Sequence, residues 1–273
     1  MRVACDRIGH GPPVVLVHGV GVGPWSYAAL AAALAVDHEV VVAHRRGYGA
    51  SAGLPLAASL HEQVEDLVEL AAGPAAFVGV SGGATLVLAL ALACPGLVTA
   101  AVVHEPLVGL LAPALHAQIE AAASRLAMSP GEEGAVDFVR NLVGPRTWER
   151  FDAGQVAEVG SRQAVVRTEV PHFLAFSPSP AQLRDLAGEA VVSTVGEASP
   201  SSRHLAAAAV AAHTGSSPMS VPGIGHLAQV EGPDALAGAL RDLENTLERR
   251  TGGHQHVLPA GRGHQLEADG QSL

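Results

Sequence analysis

The chain has 273 residues, 48% hydrophobic and 15% charged, with a formal net charge of −10 from 26 acidic and 16 basic residues. This length suits one α/β domain carrying an insertion, and the acidic balance without any arginine-rich stripe argues against nucleic acid as a partner. Cys5 and Cys94 are too far apart in sequence for a metal or disulfide pattern, and charge interrupts Met1–Arg7 before a signal-peptide apolar region forms, so a cytoplasmic location is expected.

Pro13 to Val17 is a β-branched apolar run ending at His18-Gly19, and Glu39 to Ala43 is a second, closed by the turn His44-Arg45-Arg46-Gly47-Tyr48-Gly49. Such runs predict central parallel strands. Trp25 to Leu34 between them has helical spacing, and Leu60 to Val68 is an amphipathic helix pattern with acids on its wet face. Ala75 to Val80 predicts a strand, Thr85 to Ala93 a helix, and Leu97 to His104 a further strand ending at Glu105-Pro106. The nearly unbroken apolar run from Ala84 to Val103 is split by Pro95-Gly96, which makes it a buried helix and a buried strand rather than a membrane span.

From Leu107 to about Leu186 the rhythm changes to several helices with proline-rich joints, including Pro171 and Ser177-Pro178-Ser179-Pro180. Alternation resumes with a strand over Ala190 to Val195, a helix from Ser201 to His213, a short strand at Met219 to Val221 and a last helix from Pro233 to Arg250. The expected organisation is an α/β core over 1–106 and 187–250, a helical cap over 107–186 and a flexible tail over 251–273, with a mostly parallel sheet covered by helices.

Gly79-Val80-Ser81-Gly82-Gly83 stands between a predicted strand and a predicted helix, the layout of a nucleophile elbow with Ser81 at its tip. A serine in a strained turn needs neighbours without Cβ where strand end and helix start crowd together, and Gly79 and Gly83 supply them. Four motifs, each at a predicted strand end, occur in order: His18-Gly19, Arg46-Gly47-Tyr48-Gly49-Ala50-Ser51, the Ser81 elbow, and Gly223-Ile224-Gly225-His226-Leu227. Together they resemble the α/β-hydrolase superfamily across residues 2–250.

The resemblance implies roles. A serine hydroxyl needs a general base, and His226 occupies the loop that the family uses for its catalytic histidine. The acid departs from the usual pattern: Ser199 stands where an Asp is ordinary. Some members, the haloalkane-dehalogenase-like ones among them, carry the acid after the strand that follows the elbow helix, which is Glu105 here; Glu197 is the alternative. The family's oxyanion donors map to the backbone N–H groups of Val20 and Gly82. His18, Arg46, Tyr48 and Glu231 read as scaffold residues that tie loops together. His254, His256 and His264 lack the fixed partners of a metal site, so neither metal nor cofactor is expected.

The implied activity is hydrolysis of small, largely apolar carboxylic esters through an acyl-enzyme on Ser81. The scarcity of charge in the apolar stretches of the cap disfavours highly charged substrates. Acyl transfer by the same triad and a non-catalytic ligand-binding protein on the same fold stay open. The sequence leaves the oligomeric state open, and the expected partner is a small acyl substrate.

Overall fold

The computed structural model describes residues 2–186 and 190–252. The β-branched runs assemble into one sheet made of β1 (Ala4–Ile8), β2 (Pro13–Val17), β3 (Glu39–His44), β4 (Ala75–Val80), β5 (Val98–His104), β6 (Val191–Gly196) and β7 (Met219–Val221). The spatial order is β1-β3-β2-β4-β5-β6-β7, and every pairing is parallel except the antiparallel β1–β3 edge. Strands β2 and β4 are buried along nearly their whole length, as a parallel sheet covered on both faces requires.

Helices α1 (Ala28–Leu34), α2 (Leu60–Ala71) and α3 (Gly82–Ala93) connect the first strands. Helix α3 is apolar around most of its circumference because it packs on both β4 and β5. Between β5 and β6 the chain runs through α4 (Pro113–Met128), α5 (Glu132–Val143), α6 (Pro145–Trp148), α7 (Ala153–Ser161), α8 (Gln163–Ala175) and α9 (Pro180–Asp185). Helices α10 (Ser201–Thr214), α11 (Ala228–Glu231) and α12 (Pro233–Gly252) complete the description.

Several elements differ from the sequence expectation. Strand β1 was not anticipated, because Cys5, Asp6 and Arg7 give an edge strand no apolar alternation. Pro171 lies inside α8 instead of at a joint between helices, whereas the Ser177–Pro180 stretch does separate α8 from α9. Asp66 of α2 turns inward and binds Arg46 Nε at 2.7 Å, so that helix carries one acid off its wet face. Helix α12 continues through Gly252, and the remainder of the expected tail, residues 253–273, lies outside the described residues.

Topology fixes where chemistry can occur. The chain leaves β2 toward β3 on one side and returns to β4 on the other, so the connections after β2 and β4 part at their carboxyl ends. In open α/β sheets such a switch point opens a crevice for ligands. Ser81 follows β4 directly and His18–Gly23 follows β2.

Candidate active site

Ser81 sits at φ 58° and ψ −124° as the residue preceding α3. This is a left-handed conformation that a non-glycine residue adopts only when its surroundings impose it. The glycines on either side make it possible: a Cβ on Gly79 would lie 2.5 Å from the Gly83 carbonyl oxygen, and one on Gly83 would overlap the Val17 carbonyl oxygen. The Ser81 N–H donates to the His104 carbonyl at 2.8 Å, tying the elbow to the end of β5.

That tie places Glu105 beside the elbow. Val80 pairs with His104 at the end of the β4–β5 ladder, so Ser81 and Glu105 each follow directly on one of two paired strand ends. Glu105 is fully buried and also has a positive φ, 52°. Its Oε2 accepts from His226 Nδ1 at 2.7 Å, and its Oε1 accepts from the Gly196 N–H at 3.0 Å. Arg203 Nε stands 3.3 Å from Oε2 and His104 Nε2 3.6 Å from Oε1. Burial alone would raise the Glu105 carboxyl, but the hydrogen bond from His226 and the positive partners around it outweigh burial and hold it below the ordinary carboxylate range.

An ionised carboxylate only accepts, so His226 carries its proton on Nδ1 and presents an unprotonated Nε2. Nε2 has no hydrogen-bond partner among the described residues. Burial, followed by the Arg203 charge, pushes the His226 imidazole down to about 4. The His226 loop is held on both sides: His104 Nε2 donates to the Gly225 carbonyl at 3.2 Å, and Glu231 Oε2 accepts from the Gly225 N–H at 2.9 Å. Glu231 also accepts from Thr147 Oγ1 of α6 at 2.6 Å.

The other acid candidate is elsewhere. Glu197 is exposed, and its Oε2 accepts from the Gly223 N–H at 2.9 Å. Ser199, in the ordinary acid position, has a buried hydroxyl without a hydrogen-bond partner. Ser81 Oγ makes no hydrogen bond among the described residues, so its contact with His226 is not closed in this conformation. Glu105 binds His226 and follows His104, the residue whose carbonyl accepts from the Ser81 N–H.

The loop after β2 lies against the elbow. A Cβ on Gly19 would be 3.1 Å from Ser81 Cβ, and one on Gly82 would be 3.1 Å from Val20 Cγ2. Gly82 opens α3, where backbone N–H groups lack intrahelical acceptors. The Val20 N–H likewise donates to no acceptor among the described residues. A buried polar network fixes the loop: Tyr48 Oη accepts from the Gly21 N–H at 2.8 Å, and Arg45 donates to the Gly19 carbonyl at 2.7 Å. Glu169 of α8 binds both, pairing with Arg45 at 2.6 Å and accepting from Tyr48 Oη.

A family model for the alpha/beta hydrolase family matches residues 14–239. The chain belongs to the alpha/beta hydrolase family. A hydrolase from Pseudomonas aeruginosa matches it with a TM-score of 0.72 at 23% identity, over 88% of this chain and 93% of that one. An esterase from Thermogutta terrifontis in its malate-bound form gives 0.71 at 20% identity over 90% and 93%. An enol-lactonase from Burkholderia xenovorans gives 0.71 at 15% over 89% and 96%. At these identities the likeness establishes the fold alone. No curated protein matches the sequence.

In this alpha/beta hydrolase, Ser81 lines a cavity of about 10 Å³ with Val20, Leu107, Phe138, Phe173 and Arg203 among its walls. That is room for a single water molecule. Sequence reasoning missed Arg203, Glu169 and the role of Arg45. The lone arginine in Ser201-Ser202-Arg203-His204 carries no mark of burial, and Arg45 and Glu169 stand 124 residues apart.

No helix among the described residues is long and apolar enough to cross a membrane. None of their His, Cys, Asp and Glu side chains form a group of three placed to hold a metal ion, and His254, His256 and His264 lie outside the described residues.

Proposed function

We propose that this hydrolase cleaves small, largely apolar carboxylic esters through an acyl-enzyme on Ser81, with His226 as general base and Glu105 as the acid that orients and charge-stabilises it. The observation that carries the reading is the 2.7 Å hydrogen bond from His226 Nδ1 to the fully buried Glu105 carboxylate, whose residue follows the strand end that accepts from the Ser81 N–H. It leaves the lone pair of Nε2 as the acceptor for the serine proton.

In the first half-reaction Ser81 Oγ attacks the ester carbonyl carbon while its proton passes to His226 Nε2. The N–H groups of Val20 and Gly82 donate to the oxyanion. Collapse expels the alcohol, which takes the proton from the imidazolium, and leaves the acyl group on Ser81. Water then attacks with His226 again as base, releasing the carboxylic acid and restoring the serine. Glu105 stays ionised throughout and faces the imidazolium each time it forms. On this reading residues 1–106 and 187–250 are the catalytic core, and 107–186 are the cap whose apolar side chains receive the acyl group.

A fluorophosphonate probe followed by peptide mass analysis tests the assignment. Expected is one adduct on the peptide containing Ser81, lost in Ser81→Ala and slowed at least a hundredfold in His226→Gln. A folded protein that stays unlabelled, while binding apolar esters, refutes it in favour of a non-catalytic binder. Esters of graded acyl length then measure the reach of the pocket.

A further inference from the structure

Two buried arginines flank the site, and they differ in how closely they are held: Arg45 meets three close acceptors and leaves only its Nε without a partner, whereas Arg203 has two longer contacts. Arg45 donates to Gln63 Oε1 at 2.6 Å, to Glu169 Oε2 at 2.6 Å and to the Gly19 carbonyl at 2.7 Å, and its guanidinium also lies 5.0 Å from the centre of the Tyr48 ring. Arg203 has 6% of its surface exposed, yet it makes one hydrogen bond, a long one of 3.4 Å from Nη2 to the Leu142 carbonyl. Its other contact is the 3.3 Å ion pair with Glu105, whose oxygens are already taken by His226 and the Gly196 N–H. A guanidinium offers five N–H donors in a planar fork. Most of those on Arg203 have no acceptor among the described residues, and the side chain forms part of the cavity wall that also contains Ser81.

A buried charge with spare donors is costly unless something meets it. Burial lowers the Arg203 guanidinium and Glu105 only partly reverses this, whereas Arg45, equally buried, is held above its ordinary value. The free protein therefore keeps one cation incompletely compensated at the wall of an otherwise apolar pocket. The counterpart that fits a planar, two-pronged donor is a carboxylate, which can accept from it in bidentate fashion.

We propose that Arg203 is a substrate-binding residue that recognises a carboxylate on the substrate, remote from the scissile ester, so that the preferred substrates are apolar esters or lactones bearing one acidic group. This narrows the ester-hydrolase reading and rests on it for the turnover part of the test. It also revises the expectation drawn from the sparsely charged cap, because the charge enters the pocket from α10 of the core.

Two matched series of 4-nitrophenyl esters test the proposal. One series ends in a free carboxylate (succinyl, glutaryl, adipyl and longer), and the other ends in the corresponding methyl ester. At one or more lengths the wild-type enzyme is expected to favour the carboxylate at least tenfold in kcat/KM, mainly through KM. In Arg203→Gln that ratio should fall to about one or below, and Arg203→Lys should retain part of it. The ratio is read because loss of Arg203 also disturbs Glu105, and this damage falls on both series alike. A preference for the neutral ester at every length, or a carboxylate preference that survives in Arg203→Gln, overturns the proposal.

A binding measurement separates its failure from that of the hydrolase reading. Ser81→Ala is titrated calorimetrically with monomethyl adipate and with dimethyl adipate. Tighter binding of the monoester, dependent on Arg203, upholds the carboxylate site even if no ester is turned over. Equal binding of the two rejects it even if Ser81 is labelled.

Discussion

Replacing Glu105 with Gln keeps the side chain's shape but removes the charge that faces His226. The 2.7 Å contact puts the charge centres of carboxylate and imidazolium about 4 Å apart. At an effective dielectric of about 20, a pair at that separation interacts by about 4 kcal/mol. The imidazolium exists only while Ser81 is attacking or the tetrahedral intermediate is collapsing, so the loss falls on the transition state. The expectation is about a thousandfold lower kcat on 4-nitrophenyl butyrate, with KM changed less than about threefold. Arg203 then loses its counter-charge, and a buried cation left alone costs about 3–5 kcal/mol of stability. The assay is therefore run beside a thermal melt, together with Glu105→Gln/Arg203→Met, which removes both charges. Glu197→Gln, at the exposed carboxylate that accepts from Gly223, should change kcat less than about twofold. A folded Glu105→Gln enzyme that keeps more than a tenth of wild-type kcat refutes the reasoning, as does a thousandfold loss in Glu197→Gln.

Three further expectations concern pH, the clasp across α8 and the elbow. Because His226 is pushed down to about 4, the acid limb of kcat/KM should be centred near pH 4 rather than 6.5, and a limb at 6.5 or above contradicts the buried, uncharged imidazole. The same shift sets the sign of the stability effect: between about pH 4 and 6.5 the unfolded chain binds more protons at this residue, so its contribution falls as pH drops through that window. Glu169→Gln strips the buried Arg45 of its charge partner and frees the loop that carries Val20, so chemical denaturation should register a loss of about 3–5 kcal/mol, and a loss under 1 kcal/mol contradicts the clasp. Gly83→Ala drives a methyl group into the Val17 carbonyl and should cost several kcal/mol or abolish soluble protein, while Gly53→Ala, where a Cβ meets nothing within 4 Å, should stay within about 0.5 kcal/mol of wild type.

What the sequence disclosed follows from how local each signal is. β2, β4 and β5 are largely apolar runs with glycine or proline at or near their ends, and β3 has an apolar centre closed by a glycine-containing turn, so their period and ends can be read residue by residue, and the motif order then points to the α/β-hydrolase architecture. Strand β1 escaped because an antiparallel edge strand half open to solvent tolerates Asp6 and Arg7. Pro171 looked like a break, yet α8 carries it eight residues in from its start. The distinction between Glu105 and Glu197 was not local: both carboxylates bind the Gly223–Leu227 loop, and only Glu105 binds the His226 imidazole, 121 residues beyond it. Arg203 and Glu169 left no sequence trace for the same reason, since a buried ion pair is defined by its partner and nothing in Ser202-Arg203-His204 names Glu105.

The central claim is that Ser81 becomes acylated with His226 as its base. Reaction with 4-nitrophenyl butyrate, quenched in acid within the first turnovers and analysed by peptide mass, addresses it directly. The account predicts a butyryl increment on the peptide containing Ser81, absent in Ser81→Ala and strongly diminished in His226→Gln. Nitrophenol release at the wild-type rate from Ser81→Ala, with no acylated peptide in the wild-type protein, would contradict it.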